Sequence, residues 1–243
     1  MLLASIQQAS GGGGYDPLVV ANAQMASLAH VYYADDNSEG DGVSFSAITD
    51  LVGSMNGTVE GTMTIKVGAN GHKYWDFSAS SNAISLGGTF DPTPTSDEFT
   101  ILAVVSEDKP TGATIFSKAD GASSARQFQV FFSSGDIFGY VGSSSQQQTY
   151  NNPSLTPTPT YVWLTCDTVN WWMTLNGTDS SNFTPGSTTQ TSDFLMGGRR
   201  ASGNTGLGSD FDGGIHAMYI WNEALDNTTK QSIESDLDTQ FSS

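Results

Sequence analysis

The 243-residue chain carries 25 acidic and only 8 basic residues, a formal net charge of −17, and that balance argues against nucleic acid or an anionic membrane surface as a partner, because phosphate binding needs clustered Lys and Arg. Hydrophobic residues make up 37% and charged residues only 14%, enough for a core, with Gly, Ser, Thr and Asn filling the gap as in a chain of many short strands and turns. Cys166 stands alone, which rules out an intrachain disulfide and reads as a buried small hydrophobe.

Residues 1–14, MLLASIQQASGGGG, combine a small apolar head with a glycine tether. MLLASI is too short for a signal-peptide core and lacks a preceding basic residue, so the expectation is a protein assembled in the cytoplasm rather than exported. Met1, Leu2, Leu3 and Ile6 are the candidate assembly anchor, seated in a neighbouring subunit; the alternative is that they pack on their own domain. Asp16-Pro17 has the form of a helix start, so residues 17–27 are assigned a short helix and residues 1–27 an N-terminal arm.

Ala29–Tyr33 reads as the first strand. The loop DDNSEGDG, residues 35–42, resembles the front of a calcium loop, with Asp35, Asn37 and Glu39 as its candidate ligands. Ser46 stands where the bidentate Glu should be, and a strand rather than a helix precedes the loop. A solvated acidic turn is therefore preferred over a Ca2+ site, and no other cofactor is expected. Met63–Val67, Lys73–Phe77 and Ala83–Leu86 are short strands. Phe99–Val105 is apolar on both faces, as in a central strand. Thr114–Ser117 is a strand followed by a turn at Lys118–Gly121. Arg126–Phe132 and Asp136–Val141 form a hairpin around Ser-Ser-Gly. Residues 143–160 are a long polar loop with one short strand.

Residues 161–178, YVWLTCDTVNWWMTLNGT, are the centre of the pattern. Tyr161, Trp163 and Thr165 alternate with Val162, Leu164 and Cys166, so both faces are bulky, as in a strand between two packed layers. After a turn at Val169-Asn170, Trp171, Met173 and Leu175 share one side and Trp172 and Thr174 the other. Asn176-Gly177 supplies a positive-φ turn. Trp163 and Trp171 are assigned to the core. Ser192–Gly197 is a further strand, residues 199–210 a Gly-rich loop, and Gly213–Trp221 a long apolar strand. Asn222–Phe241 holds the one clear helix, capped by Asp226 or Asn227, with Ile233, Leu237 and Phe241 on one face. Strands throughout and a closing helix predict an all-β, two-sheet antiparallel jelly-roll sandwich.

The segments YYADD (32–36), WDFSASSNAISL (75–86), FTILAVVS (99–106), IFSKADG (115–121), YVWLTCDTVNWWMTLNG (161–177), FLMGGR (194–199) and FDGGIHAMYIWNEALDNTTKQSIESDL (211–237) follow one another as in the laminin-G-like, or concanavalin A-like lectin/glucanase, jelly roll, which the chain resembles over roughly 28–240. The resemblance implies one such domain over 28–243. It implies sugar binding, adhesion or glycoside hydrolysis as function classes, and the family is also common in tailed-bacteriophage virion proteins. Hydrolases of this fold class carry a strand-borne E-x-D-x-E set. The nearest string here, Glu234-Ser-Asp236-Leu-Asp238, falls on the predicted helix, where residues i and i+2 diverge. His30, His72 and His216 are far apart and read as core or rim residues. No enzymatic activity is expected.

Sugar binding needs aromatic platforms and planar polar groups, for which Trp172, Tyr150, Asn151 and Arg199 are the candidates; for Trp172, contact with a neighbouring sheet, helix or subunit is preferred. The expected function is a non-enzymatic virion structural protein, a capsid decoration, head-fibre or tail component. It would be anchored to other virion subunits by its arm, homo-oligomeric, and display a lectin-like jelly roll to surface glycans. The alternative is a free-standing carbohydrate-binding or adhesion module at a cell surface. No insertion into a membrane is expected.

Overall fold

The computed structural model describes residues 26–78, 81–87, 89–106, 113–120, 126–142, 147–150, 159–201, 206–208 and 211–241. In chain order these form β1 (Leu28–Tyr33), a 3-10 turn (Ala34–Asp36), β2 (Ser44–Ile48), β3 (Gly57–Val67), β4 (Lys73–Asp76), β5 (Ala83–Ser85), β6 (Phe99–Ser106), β7 (Thr114–Ala119), β8 (Arg126–Ser133), β9 (Asp136–Val141), β10 (Gln147–Tyr150), β11 (Thr160–Cys166), β12 (Trp171–Leu175), β13 (Thr178–Asp179), β14 (Phe194–Met196), β15 (Arg199–Arg200), β16 (Leu207–Gly208), β17 (Gly214–Trp221) and α1 (Asn227–Phe241). The predicted anchor residues Met1, Leu2, Leu3 and Ile6, the helix assigned from 17, and Asn151 lie outside the described residues, apart from the helix's last two positions.

One hydrogen-bonded path runs β10-β9-β8-β7-β14-β5-β3-β4-β17-β6-β11-β12-β13, with β1 beside β17 and β2 beside β3. The pairs are antiparallel, as in β6 with β11 and β17, or β8 with β7 and β9. The path doubles over into two layers. Residues from both halves, among them Ile101, Val162, Met173, Phe128, Val130 and Met196, share one buried cluster. This is the predicted two-sheet sandwich.

Strand β3 makes the corner. Its residues 58–60 pair with β5 and its residues 64–67 with β4. Between them Gly61 has φ +90°, and a Cβ there would lie 2.3 Å from Asn82 Oδ1. Only glycine fits this bend. Asn82 repairs the ladder that the bend interrupts: its Oδ1 accepts from the Thr62 N–H and its Nδ2 donates to the Thr62 carbonyl, both at 3.0 Å. A strand that switches sheets through such a kink is a usual corner of a sandwich.

Segment 161–178 sits where its two bulky faces require. Val162, Leu164 and Cys166 enter the inter-sheet core, while Tyr161 and Trp163 face a second cluster with Leu102, Val104, Tyr219 and Trp221. Helix α1 covers that second face with Ile233, Leu237 and Phe241, the residues assigned to its apolar side. Asp226 caps it, Oδ1 accepting from Thr229 N–H at 2.8 Å. Asn176 and Gly177 have φ of 45° and 74°, the double positive turn expected between β12 and β13.

Two local expectations change. Lys118 and Ala119 continue β7 instead of forming a turn; Lys118 is buried and its Nζ donates to the Phe90 carbonyl at 2.8 Å, so a charge placed at a layer's end was mistaken for a loop signal. The Gly-rich segment from Arg199 contains a small hairpin, β15 with β16. In segment 35–42, Asp36, Ser38, Gly40, Asp41 and Gly42 are exposed, as in a solvated turn, while Asp35 and Asn37 also tie it to β4 (below). Among the described residues no helix is long and apolar enough to cross a membrane.

Candidate functional site

The sequence-assigned residues do not converge. Trp172 is half-buried, and Lys230 of α1 holds its Nζ 4.8 Å from the ring centroid. Its side chain therefore faces the helix, the packing preferred for it. Tyr150 packs against the inter-sheet core and shares its hydroxyl proton between the Met173 carbonyl, at 3.0 Å, and that of Thr178. Arg199 lies on the outer side of the other sheet, beside Arg126 and Tyr140.

The acidic segment is structural hardware. Asp35 accepts from Lys73 N–H at 2.6 Å, from His72 Nδ1 at 2.7 Å, and from the Tyr33 hydroxyl. Asn37 Oδ1 accepts from Trp75 Nε1–H at 2.9 Å, and its Nδ2 donates to Glu39 at 3.3 Å. These bonds pin the end of β1 to β4, and they occupy the oxygens that a cation would need. Among the described residues, no three His, Cys, Asp or Glu side chains gather as a metal site would require.

The carboxylate string 234–238 lies on α1, as its spacing implies. Glu234 is buried and accepts from Trp163 Nε1–H at 2.7 Å and Gly177 N–H at 3.1 Å. Asp238 accepts from the Tyr161 hydroxyl at 2.7 Å, and Asp236 points to solvent. Burial pushes the Glu234 carboxyl upward, against the pull of those two donors.

With α1 closing one side of the sandwich, the outer face of β7–β8–β9 is the sheet face left over, and there the structure assembles a site the sequence reading missed. The two-residue turn Ser134-Gly135, both at positive φ, fixes the β8/β9 register so that Phe131 lies opposite Phe138 and Gln129 opposite Tyr140. Alternation sends Phe128, Val130 and Phe132 inward and these four outward. Phe131 stacks on Phe138 with centroids 5.5 Å apart and planes at 24°, and on Tyr140 at 5.6 Å and 17°. Phe131 and Phe138 remain half-exposed. The Arg126 guanidinium sits over Tyr140, its Cζ 3.8 Å from the ring centroid.

The polar groups around this file are incompletely used. Gln129 donates through Nε2 to Thr114 Oγ1 at 2.9 Å, but its Oε1 has no hydrogen-bond partner among the described residues, and neither has Nε of Arg126 or of Arg199. Buried polar atoms without partners are uncommon and each needs a reason. Arg200, next in sequence, also leaves its Nε without a partner among the described residues, but its terminal nitrogens donate to both Glu60 oxygens, at 2.6 Å and 2.5 Å, and to Asp193 at 2.5 Å. Burial, and then the nearby Arg126 charge, lower the pKa of Arg199. Chemically, the face offers a flat apolar strip bordered by guanidinium and amide groups.

No family model matches the chain, and no curated protein does either. Solved structures do match. Domain 4 of AbnA, a GH43 extracellular arabinanase from Geobacillus stearothermophilus, in complex with arabinotriose, is 20% identical over 85% of this chain and 98% of that one, with a TM-score of 0.59. A Trypanosoma rangeli sialidase in complex with 2,3-difluorosialic acid is 16% identical over 87% of this chain, TM-score 0.59, and the binding domain of botulinum neurotoxin serotype D is 13% identical over 88%, TM-score 0.61. The likeness is one of fold. The chain spans 33% of the sialidase and 53% of the toxin binding domain.

The signal for the missed residues was present in the sequence. Once Ser134-Gly135 is taken as a two-residue turn, Phe131, Phe138 and Tyr140 fall on one face by parity alone.

Proposed function

We propose that the chain is a non-catalytic carbohydrate-binding β-sandwich module whose combining surface is the outer face of β8 and β9. The observation that carries this reading is the stacked file Phe138–Phe131–Tyr140, in which Phe131 and Phe138 are half-exposed and Tyr140 is buried beneath Arg126, a run of flat apolar surface with planar donors at its border. Sugar rings present C–H faces to such strips and hydroxyls to the polar groups beside them. The fold likeness to domain 4 of AbnA, solved with arabinotriose and matched over 98% of its length, supports the same class.

A glycan array with the purified protein tests the reading. Binding to at least one saccharide class is expected, and Phe131→Ala with Phe138→Ala should weaken it at least tenfold while the far-UV circular dichroism spectrum stays the same. An array without binding, or binding that survives the double substitution, overturns it.

A second reading adds location. The apolar head Met1, Leu2, Leu3 and Ile6 and the glycine run Gly11–Gly14 suit a tethered anchor, so that the module would be carried on an assembly such as a virion by contact with other subunits or with copies of itself. A few apolar side chains contribute about 1.5–3 kcal/mol each when buried, weak singly but firm across symmetric copies. Deleting residues 1–14 should then abolish incorporation and leave glycan binding intact. Normal incorporation of the truncated chain excludes the anchor. A free adhesion module at a cell surface is the counterpart without the anchor.

A further inference from the structure

The protein has three arginines. One of them, Arg200, is neutralised by Glu60 and Asp193. The other two, Arg126 and Arg199, stand close enough for each to feel the other's charge and have no ion pair among the described residues. In a chain of net charge −17 acidic partners are abundant, so two partly buried guanidinium groups without one among the described residues are not explained by scarcity of carboxylates. Like charges brought together at a partly desolvated surface destabilise the folded chain. An anion from outside, bound between the two groups, would relieve that repulsion.

The geometry also says what kind of anion. Arg126 is only 9% exposed, its guanidinium carbon sits over the Tyr140 ring, 3.8 Å from the centroid, and its Nε–H has no acceptor among the described residues. A guanidinium is a planar fork that matches the two oxygens of a carboxylate. Gln129, 2% exposed, adds an unused acceptor, Oε1, suited to a hydroxyl donor beside that carboxylate. The adjoining rings of Phe131 and Phe138 supply the apolar bed for a ring.

Taken with the proposed carbohydrate-binding role, on which this step rests, we infer that the outer face of β8 and β9 is a receptor for a carboxylate-bearing saccharide, a uronic or sialic acid unit, with Arg126 and Arg199 gripping the carboxylate, Gln129 accepting from a hydroxyl, and Phe131 and Phe138 bedding the ring.

Calorimetric titration of the full chain distinguishes failure of this inference from failure of the underlying reading. The probes are polygalacturonate and polysialic acid, their methyl-esterified forms, dextran sulfate, and neutral arabinan and xylan. One carboxylated polymer is expected to bind, with at least a tenfold loss on esterification and a similar loss in Arg199→Gln and in Arg126→Gln. Arg199→Gln is also expected to melt no lower than the unaltered protein without ligand, since it removes one of two repelling charges. Binding of neutral polymers that Phe131→Ala weakens and Arg199→Gln does not would overturn the acidic-ligand inference and leave the carbohydrate role standing. Equal binding of dextran sulfate, or a melting point lowered by more than 5 °C in Arg199→Gln, would also overturn it, the first by showing charge attraction alone and the second a structural arginine. Binding of none of the polymers would overturn both readings.

Discussion

Replacing Trp163 by Phe isolates one bond that couples the helix to the sandwich. Trp163 is fully buried, stacks on Trp221 at 5.7 Å and 25°, and donates Nε1–H to Glu234 at 2.7 Å. Phenylalanine keeps most of the ring and deletes the donor, leaving the buried carboxylate with the Gly177 N–H at 3.1 Å as its remaining acid-side contact in that direction. A hydrogen bond to a charged group contributes about 1.5–3 kcal/mol; with the smaller ring, Trp163→Phe should cost about 2–4 kcal/mol at pH 7.5. Trp163→Ala adds a cavity and should exceed it, since an aromatic removed from a core costs about 3–5 kcal/mol by itself.

The pH dependence has a fixed sign. Burial already raises the Glu234 pKa, and the Trp163 donor lowers it; without that donor it climbs further. A carboxyl whose folded pKa exceeds its unfolded value of about 4.3 binds more protons in the native state, so stability falls as pH rises from the unfolded toward the folded pKa. The Phe variant extends that window. Its deficit relative to the parent should therefore be small at pH 4 and reach its full size above the variant's own pKa. Urea unfolding followed by far-UV circular dichroism at pH 4 and 7.5 measures both, and a double-mutant cycle with Glu234→Gln should return a coupling of about 1.5–3 kcal/mol. A deficit equal at the two pH values, or a coupling below about 0.5 kcal/mol, would refute the reasoning.

Other perturbations test other parts of the fold. Burial carries His216 down to about 4, despite its Nδ1–H donating to the Lys73 carbonyl at 2.8 Å; the unfolded chain alone takes up the proton between pH 6.5 and 4, so about 2–4 kcal/mol of stability should disappear as pH falls through that window, and His216→Asn should flatten this part of the stability–pH curve. Burial likewise lowers Lys230 to about 8, so below pH 8 the folded chain bears the penalty of a buried charge; Lys230→Met should raise the urea midpoint at pH 7, the gain shrinking toward pH 10, and a loss of more than about 1 kcal/mol would count against a net penalty. Gly197 has φ +79°, and a Cβ would sit 2.0 Å from Phe77 Cε1; Gly197→Ala should cost about 2–5 kcal/mol from overpacking and left-handed strain, read as a lowered denaturation midpoint.

What the sequence disclosed follows a physical division. Alternation with bulky residues on both faces located the buried strands, because a one-residue slip would exchange whole faces; hence β6, β11 and β17 fell within a residue of their assigned bounds. Turn chemistry placed Asn176-Gly177, and four-residue spacing placed the buried face of α1. The Lys118 turn was misjudged because a lysine at the end of a layer can bury its stem and still reach a carbonyl. The aromatic file was overlooked for a related reason: Phe131, Phe138 and Tyr140 belong to strands rich in core residues, and composition does not say which parity faces inward. Trp172 drew attention as a lone large ring on a polar parity, yet that parity is the one α1 covers, and coverage by a distant segment is written in the tertiary contacts rather than in local pattern.

The two faces of the sandwich thus solve the same problem differently. On the helix side, the charged groups that enter the layer find partners, Glu234 with Trp163, Asp238 with Tyr161 and Lys230 with Thr174 at 3.0 Å, while Trp221 Nε1 has none among the described residues. On the opposite side, near the β14–β15 corner, Ser117 donates to the Gly198 carbonyl at 2.9 Å and Arg200 binds two carboxylates, although its Nε has no partner among the described residues; across the aromatic file, Arg126 and Arg199 have no carboxylate partner among the described residues. Unpartnered polar atoms occur on both faces, but the two arginines that have no ion pair among the described residues, Arg126 and Arg199, share one patch of the second with Gln129. A patch that keeps donors and rings ready without using them gives up some stability for preorganised recognition, and that cost is what substitutions such as Arg199→Gln should recover when no ligand is bound.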